Sequence, residues 1–163
     1  MSRARGDEDR AAVERIFRDQ YARLVVVLRA QLRDPSAAEE CAQEAFLEMV
    51  SRWNKLRHYD DPTAWLWLVA LRKASRWQKR RARPVTGATP PAPPPELEVL
   101  IDLHDAVRGL PDRQREVVML YYFADLAVDA IARQLGISEG TVKSQLHDAR
   151  QALRRTQDER PIV

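Results

Sequence analysis

One cysteine, Cys41, and three scattered histidines, His58, His104 and His147, are all that this chain offers a thiol or a metal. A lone cysteine excludes an internal disulfide, and the histidines have no metal-ligand spacing with it or with each other. No apolar run comes near the roughly 20 residues that a membrane helix needs. The opening residues, Met1-Ser2-Arg3-Ala4-Arg5-Gly6-Asp7, lack the apolar stretch of a secretory signal. No alternation of apolar and polar residues marks a β-strand. These absences predict a cytoplasmic, all-helical protein with no membrane insertion, no metal and no cofactor.

What is present is unevenly distributed. The 163 residues are 45% hydrophobic, enough for a packed core, and suffice for two small domains. Residues 1–84 hold 18 Lys and Arg against 12 Asp and Glu, a net of +6; residues 85–163 hold 9 against 12, a net of −3. A polyanion is the natural partner of the first half. Six of the ten prolines fall between Pro84 and Pro95. Such a run is a semi-extended spacer, so residues 84–95 are read as a linker between domains at 8–83 and 96–156.

The fold class expected is all-α, with a bundle of three to four helices followed by a four-helix domain. Val13, Ile16, Phe17, Tyr21, Leu24, Leu28 and Leu32 mark an apolar face from about Glu8 to Leu32. Asp34-Pro35-Ser36 breaks that helix and restarts the chain, with Ser36 and Glu39 at capping-box spacing. The second helix runs to about Trp53 on Ala38, Cys41, Ala42, Ala45, Phe46, Met49, Val50 and Trp53. A polar loop over Asn54–Asp61 follows, and Pro62 opens a third helix reaching about Arg83. Trp65 and Trp67 do not share a face of one helix, so one of them is expected to be partly exposed. After the linker come helices at Glu96–Arg108, Pro111–Phe123, Leu126–Leu135 and Glu139–Arg155. The last two, joined by Gly136-Ile137-Ser138 with Ser138 as N-cap, have the pattern of a helix-turn-helix.

Three stretches could carry function. On the last helix Val142, Leu146, Ala149 and Leu153 must face the core. That turns Gly140, Ser144, His147, Asp148, Gln151 and Arg155 outward, with Lys143 and Gln145 on the flanks. Short or polar side chains there suit a major groove, although any amphipathic helix has a solvated face. The run Arg72–Arg83 has seven basic residues and no acid, with Trp77 among them. It suits phosphates and unstacked bases, whereas capping the helix dipole needs only one or two of the seven. Glu40, Gln43, Glu44 and Glu48 form an acidic stripe that by itself is only a solvated face.

Taken in order, these pieces resemble a bacterial sigma factor of the extracytoplasmic-function type, over about residues 10–156. The motifs that carry the resemblance are Leu110-Pro111-Asp112-Arg113-Gln114-Arg115-Glu116-Val117 and the stretch from Ile131 to Ser144. Asp34-Pro35, Ala38-Glu39-Glu40, Gln43-Glu44-Ala45-Phe46 and Ala64-Trp65-Leu66 add to them. The resemblance implies a non-enzymatic subunit that gives core RNA polymerase its promoter specificity. By it Glu40, Gln43, Glu44 and Phe46 dock on the polymerase clamp. Arg72, Lys73, Arg76, Trp77, Lys79 and Arg80 melt and capture the −10 element. Thr141, Lys143, Ser144, Gln145, His147, Asp148, Gln151 and Arg155 read −35. The Pro-rich linker would thread the polymerase between them, and an anti-sigma factor is an implied further partner. The chain departs from the family pattern at Gln145, Asp148, Ala127, Ala130, Leu68, Leu71 and Arg72. Two rivals stand beside this reading: a free-standing helix-turn-helix regulator and a helical hydrolase. The net −3 of residues 85–163 is a poor basis for independent DNA affinity, and no His/Cys/carboxylate constellation supports the hydrolase.

Overall fold

The computed structural model describes residues 2–81 and 95–159; the expected linker, up to Pro94, lies outside the described residues. The chain divides into two compact units, Met1–Pro93 and Pro94–Val163. All regular structure among the described residues is helical.

The first unit begins with α1, Ser2–Leu32, which is longer than the apolar periodicity indicates. Its buried residues, Leu24, Val27, Leu28, Ala30, Gln31 and Leu32, all lie in the C-terminal third. There α2, Pro35–Ser51, and α4, Pro62–Arg80, pack against it. The α2 face turned inward is Ala37, Ala38, Cys41, Ala42, Ala45, Phe46 and Met49. Mostly small residues at three- and four-residue spacing let neighbouring helices approach closely. From α4 the core receives Ala64, Leu66, Trp67, Leu68, Ala70, Leu71 and Ala74.

Local chemistry sets the boundaries. Arg33 takes a left-handed conformation, φ 54°, and ends α1. The cap of α2 is Asp34, whose Oδ1 accepts the Ala37 amide at 3.0 Å, with Pro35 as first helical residue. This corrects the Ser36–Glu39 capping box: Pro35 is suited to the first helical position, so the capping role falls to the residue before it. Asp61 caps α4 in the same way, accepting from Ala64 at 3.1 Å ahead of Pro62. The second helix stops at Ser51, and Trp53–Leu56 is a separate short helix, α3, which takes up the start of the expected loop; residues 57–61 are non-helical.

Each tryptophan of the bundle interior has a partner for its indole N–H, as buried rings require. Trp67, fully enclosed, donates to Gln20 Oε1 at 2.9 Å. Trp53 donates to Asp9 Oδ1 at 3.1 Å, and Asp9 Oδ2 accepts from Arg57 at 3.0 Å. Trp65 is the half-exposed member of the Trp65/Trp67 pair.

The second unit starts with α5, Pro95–Arg108, so Pro95 begins a helix and does not close the linker. Then α6, Asp112–Val118, continues into a π-helical turn, Met119–Phe123, closed by the Ala124 amide on the Met119 carbonyl at 3.1 Å. Val117, Val118, Met119 and Leu120 are all buried there. After Asp125, another left-handed residue at φ 58°, come α7, Val128–Leu135, and α8, Glu139–Asp158. The three-residue turn between them has Gly136 at φ 66° and the Ile137 amide bonded to the Ala132 carbonyl at 3.0 Å. Ser138 Oγ then accepts the Thr141 amide at 3.0 Å, capping α8.

A Cβ on Gly136 would meet nothing within 4 Å, so substitution there carries only a backbone cost. Gly136→Ala is expected to destabilise the second unit by about 1 kcal/mol. Gly136→Asn should cost less, because asparagine tolerates the left-handed region. Urea unfolding of the full chain followed by circular dichroism measures both; equal stability of the alanine variant would contradict the assignment.

Candidate nucleic-acid interface

The helix-turn-helix fixes α8 through Val142, Leu146 and Ala149, which are buried. Thr141, Lys143, Ser144, His147, Asp148, Gln151 and Arg155 are exposed, as the periodicity requires. Contacts within the unit separate these residues further. Thr141 Oγ1 is 2.8 Å from Ser138 Oγ and so belongs to the cap. His147 Nε2 and Gln151 Nε2 are 3.1 Å apart, so the two side chains act as a hydrogen-bonded pair one turn apart. Gln145 lies on the flank, as expected. It is half-buried, and its amide oxygen is enclosed with no hydrogen-bond partner among the described residues. Arg150, absent from the expected set, is exposed; its Nε donates to Tyr122 Oη at 2.8 Å.

The basic end of α4 is also split by packing. Arg72, Arg76, Lys79 and Arg80 are exposed. Lys73 is not part of that face: its ammonium lies 3.0 Å from Glu48 and 3.9 Å from Glu44, with its side chain only 19% exposed. It is tied to α2, unlike the exposed Arg76, Lys79 and Arg80. Trp77 is half-buried, with the Arg81 guanidinium 4.6 Å from its ring centre. Leu68 and Leu71, which depart from the family pattern, are core residues at 4% and 5% exposure.

On α2, Glu40, Gln43 and Glu44 are exposed, while Phe46 is only 6% exposed. The Phe46 ring packs edge-on against Phe17 at 5.0 Å and beside Tyr21 at 5.9 Å. It thus lines an open apolar groove of about 710 Å³ between α1 and α2, with Val13, Phe17, Gln43, Leu47 and Val50. Leu47 and Val50 are 68% and 55% exposed and Phe17 46%. Contiguous exposed apolar residues mark an interaction surface. Periodicity assigns Val13, Phe17 and Val50 to core faces; the packing of the described residues leaves Phe17 and Val50 exposed and Val13 half-buried.

On the inward face of α2, Cys41 is buried, and burial raises its thiol above its ordinary value, with smaller contributions from Glu44 and then Glu40, opposed by Lys73. The unfolded chain therefore ionises first as pH rises, and the folded state loses stability above the unfolded thiol value of about 8.5. At neutral pH both states hold the proton and the group has no effect. Urea midpoints measured between about pH 8 and about pH 10 should fall less steeply for Cys41→Ala than for the parent chain. Parallel curves would place the thiol in contact with water.

Comparison with known proteins accounts for this combination of surfaces. Residues 16–84 match the family model described as Sigma-70 region 2, and residues 100–153 match Sigma-70, region 4. The ECF RNA polymerase sigma factor SigL of Mycobacterium tuberculosis is 33% identical over 163 residues, covering 91% of each chain. The probable RNA polymerase sigma factor RfaY of Xanthomonas campestris is 30% identical over 149 residues; the match takes in 80% of this chain and 36% of that longer one. Among solved structures, the sigma factor RpoE of Bartonella quintana, in complex with the anti-sigma factor NepR, has the same fold. Its TM-score is 0.67 at 18% identity, covering 91% of this chain and 98% of that one. With both sigma regions present in order and a full-length relative at this identity, the chain belongs to the ECF RNA polymerase sigma factors.

Proposed function

We propose that this sigma factor divides promoter recognition between its two units. The first, residues 8–83, docks on core polymerase through the α1–α2 groove and the exposed Glu40, Gln43 and Glu44. It melts the −10 element with the basic end of α4. The second, residues 96–156, reads −35 with the exposed face of α8. The observation that carries this reading is that the region 2 segment holds both an uncovered apolar groove and an exposed basic helix end. The apolar surface suits a protein partner and the basic one suits phosphates. The subunit has no catalytic step of its own: unstacking costs a few kcal/mol (roughly) per base, and contacts to the trapped bases offset it. A free-standing DNA-binding regulator would need more cationic surface than the net −3 of residues 85–163 provides. The solved pair of RpoE and NepR supports an anti-sigma factor as a second partner. We place the protein's work in the cytoplasm.

The two surfaces of the first unit should separate by mutation. Leu47→Asp with Val50→Asp is expected to abolish binding to core polymerase in a pull-down. Arg76, Lys79 and Arg80 changed together to Ala should leave core binding intact. In run-off transcription they should weaken promoter opening and lower its salt slope by up to about one unit for each phosphate no longer neutralised. Loss of core binding in the second variant, or its retention in the first, would contradict this division.

Asp148 is exposed on the groove-facing side of α8, where a carboxylate is repelled by phosphates. It is expected to accept a hydrogen bond from a base, with cytosine N4 the donor of suitable chemistry. Asp148→Ala should relax preference at one −35 position by about 1–3 kcal/mol. Asp148→Arg should raise affinity for many sequences. Equal strengthening of every −35 variant by the alanine change would make Asp148 a repulsive charge and remove it from the readers.

A further inference from the structure

The C-terminal end of α4 is fastened to the corner between α1 and α2 at two points. Gln78 Nε2 donates to the Gln31 carbonyl at 2.7 Å, near the end of α1. Three residues on, Arg81 Nη1 donates to Asp34 Oδ2 at 2.9 Å. Asp34 uses its other oxygen to cap α2. The Arg81 guanidinium is also stacked over the Trp77 ring, 4.6 Å from its centre. Arg81 therefore sits in the basic run with Arg76, Lys79 and Arg80, yet it is already engaged by a carboxylate and an indole.

We propose that Asp34 and Arg81 are positioning residues: they fix the Trp77 ring in the orientation from which it stacks an unpaired base, and Arg81 is not a phosphate contact. This rests on the reading above, in which the end of α4 takes the melted strand. A cation held against one face of an indole sets the ring's orientation in advance, through attraction to the ring quadrupole. The ring is then ordered before a base arrives, which lowers the entropic cost of capture. Asp34 matters because the guanidinium needs a fixed partner to stay over the ring, and because its carboxylate is anchored to the first turn of α2. The device links the end of the DNA-facing helix to the helix that carries the polymerase-facing residues.

The test uses the full chain bound to core polymerase, with opening read from permanganate reactivity of unpaired thymines in the −10 element. Asp34→Asn keeps the helix cap, since asparagine caps as well as aspartate, while it removes the counter-charge of Arg81. Asp34→Asn and Arg81→Gln should each reduce opening by about five- to tenfold, the scale of a charge-assisted contact. The double variant should be no worse than either single one. Core affinity, thermal midpoint and the salt slope of promoter binding should stay at parent values. A rise in promoter affinity for Asp34→Asn, or a drop in salt slope of about one unit for Arg81→Gln, overturns the proposal. Either result would mean that Arg81 binds phosphate and that Asp34 merely restrains it. Trp77→Ala separates the two levels of the argument. If it opens promoters normally, the role of Trp77 in −10 capture fails and the proposal with it. If it is defective while Asp34→Asn is not, only the positioning device falls.

Discussion

The close approach of α2 to its neighbours is the constraint on which the first unit depends. Ala38, Ala42 and Ala45 have no solvent exposure and bring nothing larger than a methyl group to the contacts with α1 and α4. Their own burial contributes little free energy; their smallness lets Leu24, Leu28, Leu66, Trp67 and Met49 meet around them. A full complement of large side chains would hold the helices apart and expose those residues, at about 1.5–3 kcal/mol each. The same narrowness has a second effect. Residues on the flanks of α2, such as Gln43, Leu47 and Val50, are displaced from the core and remain available to other molecules.

Polar contacts between residues far apart in sequence complete the bundle where its apolar seam ends. Asp9 holds Trp53 and Arg57, Gln20 holds Trp67, Gln31 and Gln78 meet, Asp34 holds Arg81, and Glu48 holds Lys73. Several of these side chains are partly in water, so each pair contributes modestly to stability. Their value is geometric. They decide which basic residues at the end of α4 are engaged: Glu44 and Glu48 of α2 hold Lys73 and the capping residue Asp34 holds Arg81, while Arg76, Lys79 and Arg80 stay exposed.

The helices and their order are legible in the sequence because proline, aspartate and glycine punctuate it clearly. Asp61-Pro62 and Gly136-Ile137-Ser138 behave as their chemistry requires. Where two signals overlap, as at Asp34-Pro35-Ser36 and Glu39, the rigid Pro35 decides which one operates. Periodicity fails differently. It locates an apolar face on α1 and α2 but cannot say whether another element covers it, and so Phe17 and Val50 pass for core. Charge runs have the same blindness: Lys73 and Arg76 look alike in sequence, and only the acids at Glu44 and Glu48 tell them apart. Leu68 and Leu71, which depart from the family pattern, are buried in the core.

The π-helical turn at Met119–Phe123 sets the angular phase of everything after it. An α-helix advances about 100° per residue, and one residue more in a turn shifts the following chain by about that angle. With this surplus, four successive residues, Val117 to Leu120, can all lie inside the unit. The chain leaves through Asp125 toward α7 on the heading that the shift prescribes. The azimuth at which α8 presents His147 and Asp148 is therefore partly encoded some twenty-five residues upstream, by chain length and not by any side chain of α8 itself.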